Sequence, residues 1–183
     1  MAVVVVGGSG KDVGKTALVC AIILALRDFE WTAVKITGHD YSTNSGETGD
    51  TSRSIREESN AEEETDTARY LAAGAQRALL VTRVGAEIPM EEIRIALGSD
   101  RNVIFESNRI VDAVKPDLCL ALVGSGSRKG SFDRLLRFAD AAIIVAGAKV
   151  EGLPERVRRF EVERTDRMSS ELVTWLRERL DQH

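Results

Sequence analysis

Cysteine, histidine and net positive charge are scarce in this 183-residue sequence, and each scarcity removes a class of function. The two cysteines, Cys20 and Cys119, each lie inside an apolar run. They form neither a disulfide framework nor a metal-ligand spacing, and both are expected to be inert core thiols. A net charge of −4 and a pI near 5.4 provide no field that would gather a nucleic-acid backbone or an anionic membrane, so neither partner is expected. The longest helical apolar run, Ala17 to Leu26, is far shorter than the roughly 20 residues that span a bilayer. Met1-Ala2-Val3-Val4-Val5-Val6 has no basic n-region and no small-residue cleavage site, so a cytoplasmic location is the expectation. No internal repeat is visible. What remains is 43% apolar residues, enough to bury a core in one domain spanning residues 1–183.

Short Val-, Ile- and Leu-rich runs alternate with helical stretches, and several are apolar on both faces, as strands of a covered parallel sheet are. The pattern predicts an α/β three-layer sandwich around a mostly parallel sheet. Strands are expected at Val3–Val6, Thr32–Ile36, Ala78–Thr82, Asn102–Phe105, Leu118–Val123 and Ala141–Ala146, with Arg159–Val162 as a weaker seventh. Helices are expected at Lys15–Arg27, Asp66–Ala73, Pro89–Leu97, Asn108–Val114, Phe132–Ala139 and Ser170–Leu180. Pro89 suits a first helical position, Gly98 a left-handed C-terminal one, and Pro116 ends the helix before the fifth strand. The stretch from Gly38 to Glu64 is polar almost throughout, with Tyr41 and Ile55 its only large apolar residues. It is expected to supply no core and to be either a ligand-ordered lid or a passive insertion.

The first strand runs into Gly8-Ser9-Gly10-Lys11-Asp12-Val13-Gly14-Lys15-Thr16, and a helix follows. A glycine-rich turn between strand and helix is an electrostatic device for polyphosphate: backbone N–H groups curl around an anion and the helix dipole adds positive potential. Gly8, Gly10, Lys11, Asp12, Val13, Gly14, Lys15, Thr16 and Ala17 are the expected nucleotide-binding residues. Lys15 would span the β- and γ-phosphate oxygens, and the Thr16 hydroxyl would ligate Mg²⁺. Five residues, not the usual four, separate Gly8 from Gly14, and Ser9 takes the place of the usual first glycine.

With that spacing, the loop resembles that of dethiobiotin synthetases and of the wider class that includes MinD-like ATPases. Lys11 stands near the place of the lysine that MinD-like dimers extend to a partner's phosphate, with a solvated loop lysine as the alternative. Ala33-Val34-Lys35, His39 and Asp66-Thr67-Ala68-Arg69 followed by Ala73-Gly74-Ala75 add a resemblance to MobB, the GTP-binding adapter of molybdopterin-guanine dinucleotide biosynthesis. It covers roughly the first 115 residues. The departures are Glu106-Ser107-Asn108, where that family has Glu-Gly, and the long acidic insertion. The resemblance implies a P-loop nucleoside triphosphate hydrolase fold with GTP or ATP and Mg²⁺ as cofactors. It also implies slow hydrolysis, a small-molecule substrate or a cofactor-biosynthesis protein as partner, and a homodimer as one assembly.

Glu106 follows Val103-Ile104-Phe105, which places its carboxylate at the carboxyl end of a buried strand, the edge where open α/β sheets bind ligands. There it can touch a metal or order a metal-bound water; a helix-capping acid is the alternative. Asp66, with Asp40 as substitute, resembles the acid that relatives bring to the same ion, an acid favoured by a helix N-terminus being the alternative for Asp66; the expected metal set is Thr16, Asp66 and Glu106. Lys35 ends its strand beside the first and would reach the γ-phosphate or a substrate carboxylate, or else extend to water. Lys15, Lys35 and Glu106 are the expected catalytic residues. His39 has no Cys or second His near it, so it is a candidate substrate contact and not a metal ligand. Gly124-Ser125-Gly126-Ser127-Arg128-Lys129 would hold a second anion, and Gly147-Ala148-Lys149 would flank a base, unless both are ordinary turns. No Asn-Lys-x-Asp guanine signature occurs, which leaves ATP against GTP open. The arginines between Arg156 and Arg167 read as a solvated face, and the Leu172, Val173, Leu176 and Leu180 stripe as a helix packed on the sheet. A synthetase that activates a small carboxylate or carbamate, and a MinD-like ATPase, are the alternatives to the adapter.

Overall fold

A computed structural model describes residues 2–38, 54–83, 87–126 and 128–182. Among the described residues eight strands form one sheet: β1 (Ala2–Gly8), β2 (Thr32–Thr37), β3 (Ile55–Glu57), β4 (Arg77–Thr82), β5 (Asn102–Glu106), β6 (Leu118–Val123), β7 (Ala141–Val145) and β8 (Arg158–Val162). Their order is β3-β4-β2-β5-β1-β6-β7-β8, and every pairing is parallel except that of β3 with β4. The α-helices among the described residues are α1 (Lys15–Ala25), α2 (Asp66–Ala72), α3 (Met90–Leu97), α4 (Gly130–Leu136) and α5 (Ser170–Leu180).

Side chains alternate across a strand, so a parallel sheet with helices on both faces needs apolar residues at every position of its central strands. Val4 and Val6 of β1 face one core with Leu18 and Ile22 of α1, Tyr70 of α2 and Leu172, Trp175 and Leu176 of α5. Val5 faces the other, with Ile93 of α3 and Phe132 and Leu135 of α4. The result is the expected three-layer α/β arrangement with a mostly parallel sheet. No helix among the described residues is long and apolar enough to cross a membrane.

Three expectations need correction. The stretch 108–114 is not an α-helix; only a 3₁₀ turn forms, at Ile110–Asp112. Asn108 spends its side chain on the backbone of Gly8, Ser107 Oγ accepts from Arg109 N–H at 3.1 Å, and Pro116 follows too soon for a helix to continue. Pro89 precedes the first residue of α3 instead of occupying it. The polar insertion is not wholly without core: Ile55 opens the short edge strand β3 opposite Val81 and packs, half-buried, on the second core. Residues 39–53 of that insertion, including His39, Asp40 and Tyr41, lie outside the described residues. The arginines from Arg156 to Arg167 are exposed, as a solvated face requires. Residues 158–162 form β8, the expected seventh strand, and Arg156 donates to the carbonyls of Leu136, Arg137 and Ala139 at the end of α4.

Candidate functional site

Register does the first part of the assembly. Val6 of β1, Glu106 of β5 and Lys35 of β2 are direct partners across three neighbouring parallel strands. Partners in a parallel ladder share a face, and Val6 points into the core under α1 and α2. Glu106 and Lys35 therefore emerge on that same side, at the carboxyl edge of the sheet.

The loop after β1 brings the second part. Gly14 has a φ of 97°, and a Cβ there would collide with the Thr165 side chain from the segment between β8 and α5, so only glycine fits. Asp12 also takes a left-handed φ, 56°. No side chain caps α1, and its first ladder bond is Leu18 N–H to Gly14 carbonyl at 3.0 Å. The amides of Lys15, Thr16 and Ala17 thus have no acceptor in the helix's own ladder and lie where an anion would collect them. Ser9 is buried and ties the loop down: its Oγ accepts from Gly124 N–H at 3.0 Å, its N–H donates to Leu122 carbonyl at 2.8 Å, and its carbonyl accepts from Lys129 N–H at 2.9 Å. Asn108 brackets Gly8, accepting from its N–H at 2.7 Å and donating to its carbonyl at 2.9 Å. A polar residue two positions past the strand-end acid was the only signal for this role.

At the centre lies a small ionic network. Glu106, 5% exposed, accepts on Oε2 from Thr16 Oγ1 at 2.8 Å and from the Tyr70 hydroxyl, and on Oε1 from Lys35 Nζ at 3.3 Å. Lys35 Nζ also donates to Asp66 Oδ2 and, at 3.4 Å, to Thr16 Oγ1. Burial works against ionisation of Asp66, but the Lys35 hydrogen bond and charge, with Thr16 and Arg69 behind them, outweigh it and hold the carboxyl below its ordinary range. Burial, first, and then the adjacent Glu106 charge push the Tyr70 phenol well up, so it stays a donor. Lys15 Nζ folds back onto Gly10 carbonyl at 3.0 Å. Burial lowers its pKa, the charges of Lys129 and Lys35 act in the same direction, and Glu106 opposes them.

Of the expected site, Lys15, Thr16, Lys35, Asp66 and Glu106 converge, and the alternative of Glu106 as a helix cap does not fit its contacts. Tyr70 was missed; it stands four residues after Asp66 and so shares its helix face. Glu58 was also missed: its carboxylate accepts from the hydroxyls of Thr65 and Thr67, both at 2.9 Å, and from the N–H groups of Ser59 and Asn60. It thereby fixes the residues on either side of Asp66. Thr65 in turn caps α2 by accepting from Ala68 N–H at 3.0 Å.

Lys11 is exposed, with no role visible within one chain. Arg128 is engaged by Asp133 and the Glu151 carbonyl, and Gly147 sits in an exposed turn. Cys119 is buried and its thiol is pushed up to about 12 by burial, whereas Cys20 is only half-buried, at about 11 for the same reason. Both are far from thiolate reactivity.

Among the described residues, no cluster of three or more His, Cys, Asp or Glu side chains is placed to hold a metal alone. The oxygens of Thr16, Asp66 and Glu106 nevertheless suit Mg²⁺, which takes one or two carboxylates and completes its octahedron with waters and substrate phosphates. No protein-family model matches the chain, and no curated protein matches it significantly.

Proposed function

We propose that the chain binds a nucleoside triphosphate with Mg²⁺ at the loop from Gly8 to Thr16 and hydrolyses it slowly. The observation that carries this reading is the 2.8 Å hydrogen bond between Thr16, which ends the loop, and Glu106, which ends the neighbouring strand. It joins an anion-collecting helix start to a buried carboxylate, the pairing that a metal-bound polyphosphate requires and a merely tight turn does not. Thr16, Asp66 and Glu106 would hold the metal, which when bound supplies charge neutralisation on the phosphate oxygens. The residues do the rest. Backbone amides of the loop and of Lys15, Thr16 and Ala17 hold the β-phosphate. Lys15 leaves the Gly10 carbonyl for a phosphate oxygen and offsets charge that grows as the terminal phosphoryl departs. Glu106, on which three donors converge, orients the attacking oxygen.

Within that class, the resemblance to MobB supports a nucleotide-dependent adapter in molybdenum-cofactor assembly that favours GTP. A second reading, ATP-driven activation of a small carboxylate or carbamate, is supported by the five-residue spacing from Gly8 to Gly14, in which the loop resembles that of dethiobiotin synthetases. Thermal shift with ATP, GTP and Mg²⁺, followed by small acids and molybdopterin species, tests the class and then divides the readings. A ligand at a hundred times its Kd stabilises the fold by about 2.7 kcal/mol. No shift with any Mg²⁺–triphosphate at millimolar concentration would sink the proposal.

A further inference from the structure

Lys35 has a geometry unlike that of a lysine waiting for a phosphate. An ammonium carries three N–H donors, and Lys35 Nζ meets three oxygens, from Asp66, Glu106 and Thr16. These are the same three oxygens that the proposed metal site draws on. A divalent ion held by these residues would need the same oxygens that the ammonium now occupies, so the two cations would compete for them. The side chain of Lys35 is 20% exposed and that of Glu106 5%, so neither charge is well hydrated. A Lys35 expelled without a new anion would lose its partners in a poorly hydrated crevice, which is costly. Expelled in the presence of a triphosphate, it finds phosphate oxygens at the same sheet edge.

We propose that Lys35 is an internal cation that occupies the divalent-ion position in the nucleotide-free protein. The metal then enters only with triphosphate oxygens that draw Lys35 away. Lys35 is in this sense a specificity-determining residue: it rejects free metal and couples metal to nucleotide. Reciprocity follows, since a nucleotide that raises metal affinity must have its own affinity raised equally by the metal. The inference rests on the nucleotide reading for the coupling, but not for the exclusion of free metal.

Mn²⁺ serves as the probe, its free aquo ion counted by electron paramagnetic resonance, with nucleotide-free protein and then with GTP or ATP added. Wild type should bind Mn²⁺ weakly alone and at least tenfold more tightly with a triphosphate. Lys35→Met should bind Mn²⁺ at least tenfold more tightly than wild type without nucleotide, and should gain less from its addition. Because Lys35→Met brings two carboxylates together without a cation, Lys35→Gln is carried beside it and the Mn²⁺-dependent rise in Tm is read for both; each should exceed that of wild type. Equal or weaker nucleotide-free Mn²⁺ binding, with no larger Tm rise in either variant, overturns the internal cation. If triphosphates leave wild-type Mn²⁺ affinity unchanged while the variants bind free Mn²⁺ tightly, the nucleotide reading fails and the internal cation stands.

Discussion

Replacing Glu106 by Gln keeps the size of the side chain and removes the charge on which three donors converge. Gln has one acceptor oxygen and one NH₂ group, so it cannot reproduce the contacts. With its carbonyl toward Thr16 and Tyr70, the amide N–H groups face the Lys35 ammonium; with the amide turned, the Thr16 and Tyr70 hydroxyls must accept from it and find other outlets for their own protons. A hydrogen bond to a charged group contributes about 1.5–3 kcal/mol, and breaking a buried ion pair costs about 3–5 kcal/mol. Lys35 keeps Asp66 and some contact with solvent, which places the expected loss near the lower end of these figures, about 2–3 kcal/mol. Urea unfolding checks it: the midpoint should fall with an unchanged m value. A double-mutant cycle with Lys35→Met should recover part of the loss. Under the proposed function, the same variant should also lose at least tenfold in Mg²⁺-dependent hydrolysis, about 1.4 kcal/mol of transition-state stabilisation, while triphosphate affinity changes much less. A stability loss below about 0.5 kcal/mol would show that the carboxylate is not the hub of the network, and unchanged hydrolysis would remove it from the chemistry.

Lys15→Ala should abolish tight triphosphate binding by calorimetry yet change the stability read from urea unfolding by less than about 1 kcal/mol, because its ammonium bonds the Gly10 carbonyl of its own loop; wild-type affinity would refute the site. Tyr70→Phe keeps the buried ring and deletes one donor to Glu106, for an expected loss of about 1–2 kcal/mol in stability, and no measurable loss would contradict the contact. Glu58→Ala frees two threonine hydroxyls and should speed amide exchange at the start of α2, near Asp66, before it affects the central strands. Exchange changed uniformly along the chain would argue against a local anchor. Asp66 is held below its ordinary value, so between the folded and unfolded pKa values the unfolded chain binds more protons and stability rises with pH. Its contribution is full above the ordinary value of about 3.9 and is lost as pH falls through the lower folded one. Asp66→Asn should flatten the acid limb of the stability profile in that window, and an identical limb in the variant would count against the Lys35 pairing.

Local chemistry alone determined much of this protein. The Val-rich runs, apolar at every position, could only be strands covered on both faces, and the glycine-lysine-threonine turn could be placed between a strand and a helix because its residue types demand that backbone. Even the seventh predicted strand, Arg159–Val162, was visible in its alternation, and it forms as β8. Elements held by long-range contacts were not legible. β3 has one apolar residue in three and exists because β4 offers it an edge, while residues 108–114 look helical until Asn108 is seen to be bound to Gly8, 100 positions away. The candidate site divides in the same way. Thr16, Lys35, Asp66 and Glu106 could each be suspected from its place at an element's end, but what each one touches depends on strand order and register. Only the sheet, by setting β2, β5 and β1 side by side with Lys35, Glu106 and Val6 in line, decided that one lysine ammonium would lie among three oxygens from three different segments. Tyr70 likewise meets Glu106 only across the fold, whereas Glu58 holds the start of α2 through partners no more than nine residues away.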